Sequence, residues 1–395
     1  MANVLFLSIP VSQDNRDKLT YNFIQKEAAA LAKKDENIIH FHPNVDNTTI
    51  ANITFTGKRQ FDSINKLEVF SFIFKHIKNY YQLLLIDIKQ AWWLAKLEIA
   101  IGKVIVENNI NVAHSHFMYP LGSCAVNICN SLNIPVISSL RGAEVCNLPE
   151  YSYGAMREVF FQKASAIGAR YSQIITTPNS GMQKVAAEIF RVDKSKVKYL
   201  PNGIDDDQID HEVHTLNAQT LPINLIAIGR LIKLKNYANL LQAIKLLDKN
   251  CVQLTLVGEG PESAALKAYI EENSMVNVNL IDEMAKGKLF DLIKAAHYFI
   301  HPSLSEGLPN VVLEALAKGK PCLVSKIDAH FDVIEEGVNG YFFDHKSPID
   351  IANTIKTIVE GPPTELSLNC LKSVEKFALS NKINEYSRIY KRLIK

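Results

Sequence analysis

Short apolar runs alternate with amphipathic helical stretches twice along this chain, and that alternation limits the fold more than any other feature. In the first half "VLFLSIP", "NIIHFHP", "NVAHSHF", "PVISSL", "QIITTP" and "VKYLP" are predicted strands, with segments such as "YNFIQKEAAALAKK" and "GSCAVNICNSLN" between them. The second half repeats the plan with "INLIAIG", "QLTLVG", "VNVNLI", "HYFIHPS" and "PCLVS". Strands that alternate with helices build parallel sheets, and continuous apolar runs need cover on both faces. Two such series imply two doubly wound α/β domains. A length of 395 residues provides for two cores of ordinary size. The polar, acidic, turn-rich stretch "LPNGIDDDQIDHEVHTLNAQTLP", residues 200–222, reads as the connection, which sets the domains at 1–200 and 201–378.

Charge and cysteine usage narrow the class. The chain has 43 Lys+Arg against 41 Asp+Glu, without the basic excess of a nucleic-acid binder. Residues 1–200 carry 22 basic and 16 acidic side chains and the remainder 21 and 25, a split that fits either different partners for the halves or ordinary surface variation. Cys124, Cys129, Cys146, Cys251, Cys322 and Cys370 are scattered, with no C-x-x-C pair, and read as reduced thiols of a cytosolic protein. The opening "MANVLFLSIPVSQDNRDK" lacks the basic and long apolar regions of a signal peptide, and no run of eighteen apolar residues follows. A cytoplasmic location is expected.

The stretch "SLSEGLPNVVLEALAKGKPCLVS", residues 303–325, carries the most chemistry. Pro309 suits the first position of a helix, Val312, Leu313, Leu316 and Ala317 form an apolar stripe at helical spacing, and Gly319 is a plausible stop. Glu306 then lies in the turn feeding the helix, and Glu314 roughly 7 to 8 Å along its axis at 1.5 Å per residue. Unpaired backbone N–H groups at a helix start face whatever lies before it. A polyhydroxylated ligand could lie along this edge with one acid near each end; alternatively both acids are solvated.

In register, "HPSLSEGLPNVVLEALAKGKPCLVS" resembles the E-x7-E segment of the family 4 retaining glycosyltransferases, which have the GT-B fold of two facing Rossmann-like domains about a deep cleft. "AIGRLIKLKN" resembles the family's Gly-Arg-Leu strand end and following lysine, giving Gly229, Arg230 and Lys235. "LVGEGPESAALK" resembles its Gly-x-Gly-Pro turn, with Gly258 and Gly260, "LPNGID" its interdomain hinge, with Asn202, and "EEGVNGYFFD" its Gly-x-Asn-Gly turn. The likeness is strongest over residues 199–345. It implies that Arg230 and Lys235 hold a diphosphate, that Glu306 with the backbone amides of Gly307 and Leu308 holds the sugar, that Glu314 holds the ribose hydroxyls, and that Pro309 and Asn310 also lie on the donor side. It also implies that the C-terminal segment, about 379–395, packs back on the first domain. Such residues suit the chemistry, because negative charge grows on the distal phosphate as the sugar carbon–oxygen bond breaks and a preorganised cation lowers that barrier.

On the acceptor side the family has a histidine-bearing strand end and a His-Gly-x-Asp-like turn. The corresponding stretches are "AHSHF", with His114 and His116, and "SLRGAEVC", with Arg141 and Glu144 where histidine and aspartate are common. Arg141 cannot accept a proton near neutral pH, so that role falls to His116, Glu144 or the departing phosphate. The glycine-rich turn after the first strand is missing from "SIPVSQDNRDK", Asp282 stands where glycine is usual, and "KIDAHFDVI" replaces a Gly-Gly-x-Pro-Glu-like run.

The expected function is therefore a metal-independent hexosyltransferase. It would transfer a sugar from a nucleoside diphosphate sugar such as a UDP-sugar, the co-substrate, to a saccharide hydroxyl in bacterial surface polysaccharide assembly, and no cofactor is implied. Catalytic roles fall to Glu306, Arg230, Lys235 and His116, and Arg141, Glu144 and Asn202 lie on the acceptor side. A GT-B sugar-nucleotide epimerase and a non-catalytic sugar-nucleotide-binding protein are the alternatives. A nicotinamide dehydrogenase is not, since "VGEGPES" has Ser263 where a dinucleotide fingerprint has its third glycine. The triplet Asp205, Asp206 and Asp207 lies in the connection and reads as solvated charge rather than a metal site. Residues 54–106 hold 8 basic and 4 acidic side chains interleaved with Phe70, Phe72, Phe74, Tyr80, Tyr81, Trp92 and Trp93. That composition fits either packed helices or a surface resting on anionic lipid, in which case the acceptor is lipid-linked.

Overall fold

Side-chain alternation along the strands builds the architecture. The structure, a computed structural model, describes residues 2–8, 22–34, 36–45, 48–50, 52–212, 221–282, 284–360 and 366–394. The chain divides into two units, residues 1–201 with 380–395 and residues 202–379.

The first unit contains an eight-stranded sheet of β1 (Asn3–Leu7), β2 (Asn37–His42), β3 (Thr48–Ile50), β4 (Ile53–Gly57), β5 (Val112–His116), β6 (Val136–Ser139), β7 (Ile174–Thr177) and β8 (Val197–Tyr199), ordered β3-β4-β2-β1-β5-β6-β7-β8. All pairs are parallel except β3 with β4. That hairpin falls outside the expected strands, because its three-residue partner is too short and polar to stand out, and its turn uses Asn52 at φ 64° rather than a glycine. The helix Ile88–Glu107 packs Leu94, Leu97, Ile101, Val104 and Ile105 into the core with Leu5, Leu7, Phe41 and Ala113. Asp87 starts it by accepting from Gln90 N–H.

From Ser380 onward the C-terminal helix Leu379–Leu393 belongs to this unit. Ile383, Tyr386, Ile389 and Tyr390 recur at helical spacing and are buried. Their polar neighbours are also satisfied: Tyr390 Oη meets His114 Nδ1 at 2.6 Å, Tyr386 Oη meets Ser139 Oγ at 2.9 Å, and Lys382 Nζ lies 2.6 Å from Glu27 Oε1.

The second unit has six parallel strands, β9 (Ile223–Ile228), β10 (Val252–Val257), β11 (Val278–Ile281), β12 (Tyr298–His301), β13 (Cys322–Ser325) and β14 (Gly340–Phe343), ordered β11-β10-β9-β12-β13-β14. Leu225 and Ala227 enter one apolar cluster and Ile226 and Ile228 another, so the sheet is covered on both faces. β14 also lies outside the expected strands. Its first residue, Gly340, packs so closely on β13 that a Cβ would stand 2.1 Å from Cys322 O, and a glycine start hides the short run behind the preceding turn.

Candidate functional site

In the second unit β9 and β12 are neighbours, but the chain leaves β9 toward β10 and β12 toward β13. Strand order reverses there, and such a reversal opens a crevice at the carboxyl edge of the sheet. The loop after β9 carries Arg230 and Lys235, and the loop after β12 carries Glu306. The fold thus unites residues 71 positions apart: Lys235 Nζ and Glu306 Oε1 form an ion pair with both side chains about 15% exposed. The two loops are tied by backbone as well, since Leu304 N–H donates to Leu234 O at 2.9 Å and Asn236 Nδ2 donates to Pro302 O at 3.2 Å. Arg230 stands exposed at the end of β9 with no ion pair among the described residues.

Burial by itself would raise the Glu306 carboxyl, but Lys235 and a hydrogen bond from His301 outweigh it and hold the group well below the usual carboxylate range. His301 Nε2 lies 2.9 Å from the same oxygen, Oε1. Burial and the neighbouring Lys235 charge lower the His301 pKa against the raising effect of Glu306, which favours the neutral imidazole. Sequence patterning passed over His301. The available signal was a polar residue ending the apolar run "YFIH" directly before the loop.

Gly229, Gly258 and Gly260 form the floor of the loops. A Cβ on Gly260 would stand 2.4 Å from Leu231 O, and one on Gly229 would stand 2.7 Å from Tyr237 Oη. Only glycine lets the chain after β10 approach the chain after β9 so closely.

The helix Asn310–Ala317 begins one residue later than the sequence suggested. Pro309, expected as its first residue, has ψ 106° and serves as its cap, with its carbonyl accepting from Val312 N–H at 3.0 Å. Gly319 ends it as expected, at φ 67°: Gly319 N–H donates to Leu316 O and Lys320 N–H to Ala315 O, a Schellman arrangement. Gly307 and Leu308 are buried, and Glu314 is paired with Lys286 at 2.7 Å. Asn202, expected on the acceptor side of the hinge, lies in the second unit, where its amide donates to Leu308 O at 3.2 Å and Asn310 Oδ1 at 3.1 Å. The hinge residue therefore buttresses the Glu306 loop. Asp282 pairs with Lys267 at 3.2 Å on the surface, and in "KIDAHFDVI" His330 is buried with Nδ1 donating to Ser325 O at 2.8 Å. Asp205, Asp206 and Asp207 fall in a short turn where Asp205 accepts from Gln208 at 2.7 Å.

In the first unit, β5 ends at His116 and Arg141 follows β6. Arg141 Nη2 donates to Glu27 Oε2 at 2.9 Å and to His116 Nδ1 at 2.5 Å. Because Nδ1 accepts, Nε2 carries the hydrogen, and burial together with neighbouring positive charge depresses the ring's pKa well below normal. His114 is instead consumed by Ser139, at 2.8 Å, and Tyr390. Glu144 receives the amides of Arg141 and Gly142, at 3.0 Å from Oε2 to each, and so staples its own turn. The turn after β1, expected to lack its glycines, lies outside the described residues.

Residues 62–208 match the family described as Glycosyltransferase Family 4, and residues 210–376 match Glycosyl transferases group 1. A putative teichuronic acid biosynthesis glycosyltransferase of Bacillus subtilis, TuaC, is 28% identical over 60% of this chain and 56% of its own length. An Escherichia coli UDP-Gal:alpha-D-GlcNAc-diphosphoundecaprenol alpha-1,3-galactosyltransferase is 23% identical over 55% of this chain and 60% of its own. The crystal structure of Anabaena HepE in complex with UDP superposes with a TM-score of 0.71 over 99% of this chain and 100% of that one, at 14% identity. The fold is that of a two-unit α/β protein of the GT-B class. The chain belongs to the family 4 glycosyltransferases.

Proposed function

We propose that this protein is a retaining, metal-independent hexosyltransferase that moves a sugar from a nucleoside diphosphate donor to a hydroxyl of a lipid-linked saccharide in surface polysaccharide assembly. The ion pair of Lys235 with Glu306 at the β9/β12 reversal, beside the exposed Arg230, carries the proposal. Arg230 and Lys235 supply positive charge for the leaving diphosphate, Glu306 and the amides of Gly307 and Leu308 take the sugar, and Glu314 takes the ribose. The first unit supplies the acceptor contacts. With Glu144 engaged by backbone amides and His116 Nδ1 by Arg141, the departing phosphate oxygen is the best-placed proton acceptor. The Escherichia coli relative, by its name, uses an acceptor on diphosphoundecaprenol, which supports a lipid-linked acceptor here.

The same proposal extends to peripheral contact with an anionic membrane. The helices Lys66–Lys75 and Ile77–Ile86 bury Val69, Ile73, Tyr80 and Leu83 but leave Phe70 66%, Phe74 75% and Leu85 81% exposed. Lys66, Lys75, Lys78 and Lys89 are exposed around them. Two of the acids on these helices and their caps are engaged, Glu68 with Lys103 at 3.0 Å and Asp87 as a helix cap. An apolar strip set among unpaired lysines suits a negatively charged lipid surface. Among the described residues no helix is long and apolar enough to cross a membrane.

Thermal shifts with UDP, GDP, ADP and their sugar conjugates test the donor site. Ligand at 100 times its dissociation constant adds about 2.7 kcal/mol; one base should stabilise, and no shift with any of them would overturn the proposal. Radiolabelled sugar transfer to prenyl-diphosphate saccharides then tests the acceptor. Binding to phosphatidylglycerol vesicles that is insensitive to Phe70→Ser with Phe74→Ser would exclude the helical face.

A further inference from the structure

We infer that His301 is a positioning residue that keeps Glu306 aimed at the donor sugar while Lys235 moves from that carboxylate to the diphosphate. The inference rests on the donor site proposed above and assigns a role to the first residue of the E-x7-E-like segment, to which the resemblance gives none.

His301 is the last residue of β12, fully buried, and held by the sheet rather than by a loop. The ionised Glu306 carboxylate can only accept, so the 2.9 Å contact requires that His301 Nε2 carry its hydrogen. His301 Nδ1 is buried with no hydrogen-bond partner among the described residues. A second ring proton there would be an unpaired buried donor, a costly state. The ring of His330, edge-on at 5.5 Å between centroids, offers no negative charge to offset it. His301 is therefore a neutral, single-donor anchor.

Both bonds to Glu306, from Lys235 and from His301, fall on Oε1. Oε2 is left as the acceptor open to a ligand hydroxyl. When a diphosphate enters, Lys235 is drawn to its larger charge. Without another partner, Glu306 would be a mostly buried carboxylate free to rotate, and losing one partner of a buried pair is expensive. His301 does not compete for phosphate as an ammonium does, so its bond persists and fixes the direction of Oε2.

The test separates nucleotide affinity from sugar affinity. In His301→Leu, the dissociation constant for the nucleoside diphosphate should stay within about twofold of wild type. That for the matching nucleotide sugar should rise about 10- to 100-fold, the effect of losing a hydrogen bond to a charged group. His301→Gln, whose amide reaches the Nε2 position, should restore most of the discrimination, whereas the shorter Asn should not. The Gln and Asn pair decides the matter even if the Leu variant fails to fold. Equal losses for nucleotide and nucleotide sugar, or equal behaviour of Gln and Asn, would overturn the role of His301. A wild-type protein that binds no nucleoside diphosphate would overturn the donor site itself.

Discussion

Gly258 lies against Gly229 so tightly that a Cβ on Gly258 would stand 1.9 Å from the Gly229 carbonyl oxygen. This contact joins the ends of β10 and β9, and Arg230 follows directly. In Gly258→Ala neither side can yield, since both are backbone. We expect a loss of about 3 kcal/mol, the upper end of overpacking costs. Calorimetry of the variant should show the second unit melting earlier and nucleotide binding reduced; a wild-type melting profile would contradict the geometry.

Arg230 is exposed and unpaired among the described residues, so its removal should cost function rather than folding. Arg230→Ala should lower kcat about 10²- to 10³-fold, roughly 3 to 4 kcal/mol, by loss of one preorganised charge at the leaving group. Near-normal turnover would remove Arg230 from the mechanism.

Glu98 in the first unit is fully buried among donors. Its Oε1 accepts from Ile128 N–H at 3.0 Å and its Oε2 from Tyr80 Oη at 3.0 Å. Burial raises its pKa from 4.5 to about 7 against those opposing hydrogen bonds. Between these values the folded chain holds a proton that the unfolded chain has released, so stability falls as pH rises from 4.5 to about 7. The total is on the order of 3 kcal/mol. Glu98→Gln should flatten that part of the stability profile, measured by melting at successive pH values. An unchanged slope would locate the dependence elsewhere.

Lys382 on the C-terminal helix meets Glu27 with side chains only 3% and 2% exposed. Lys382→Met leaves Glu27 with one fewer partner and should destabilise the first unit by about 3 kcal/mol, as breaking buried pairs does. Lys382→Met with Glu27→Gln should recover part of the loss. A double variant no better than the single would show that the cost is in packing.

Helix patterning was legible in considerable detail. Val312, Leu313, Leu316 and Ala317 were expected to be buried from their spacing alone, and each is at most 1% exposed. The terminus at Gly319 followed from the conformational freedom of glycine, while the start at Pro309 slipped by one residue because a single ψ angle decides it. The hairpin of β3 and β4 was illegible, because the three residues Thr48, Thr49 and Ile50 are too few to show a periodicity of their own. The site divided in the same way. Glu306, Lys235, Gly258 and Gly260 stood out by motif, whereas His301 looked like part of an apolar strand, and Asn202, read as a hinge residue on the acceptor side, carried no sign of its bonds to Leu308 and Asn310.

The sequence by itself determined two strand-and-helix series, the tight glycine turns and the register of the two acids, because each depends on residues a few positions apart. Only the tertiary structure decided that β9 pairs with β12, and hence that Lys235 and Glu306, 71 positions apart, share one carboxylate oxygen with His301. Strand adjacency is set by how two nonlocal surfaces bury each other, and periodicity along the chain carries no record of that choice.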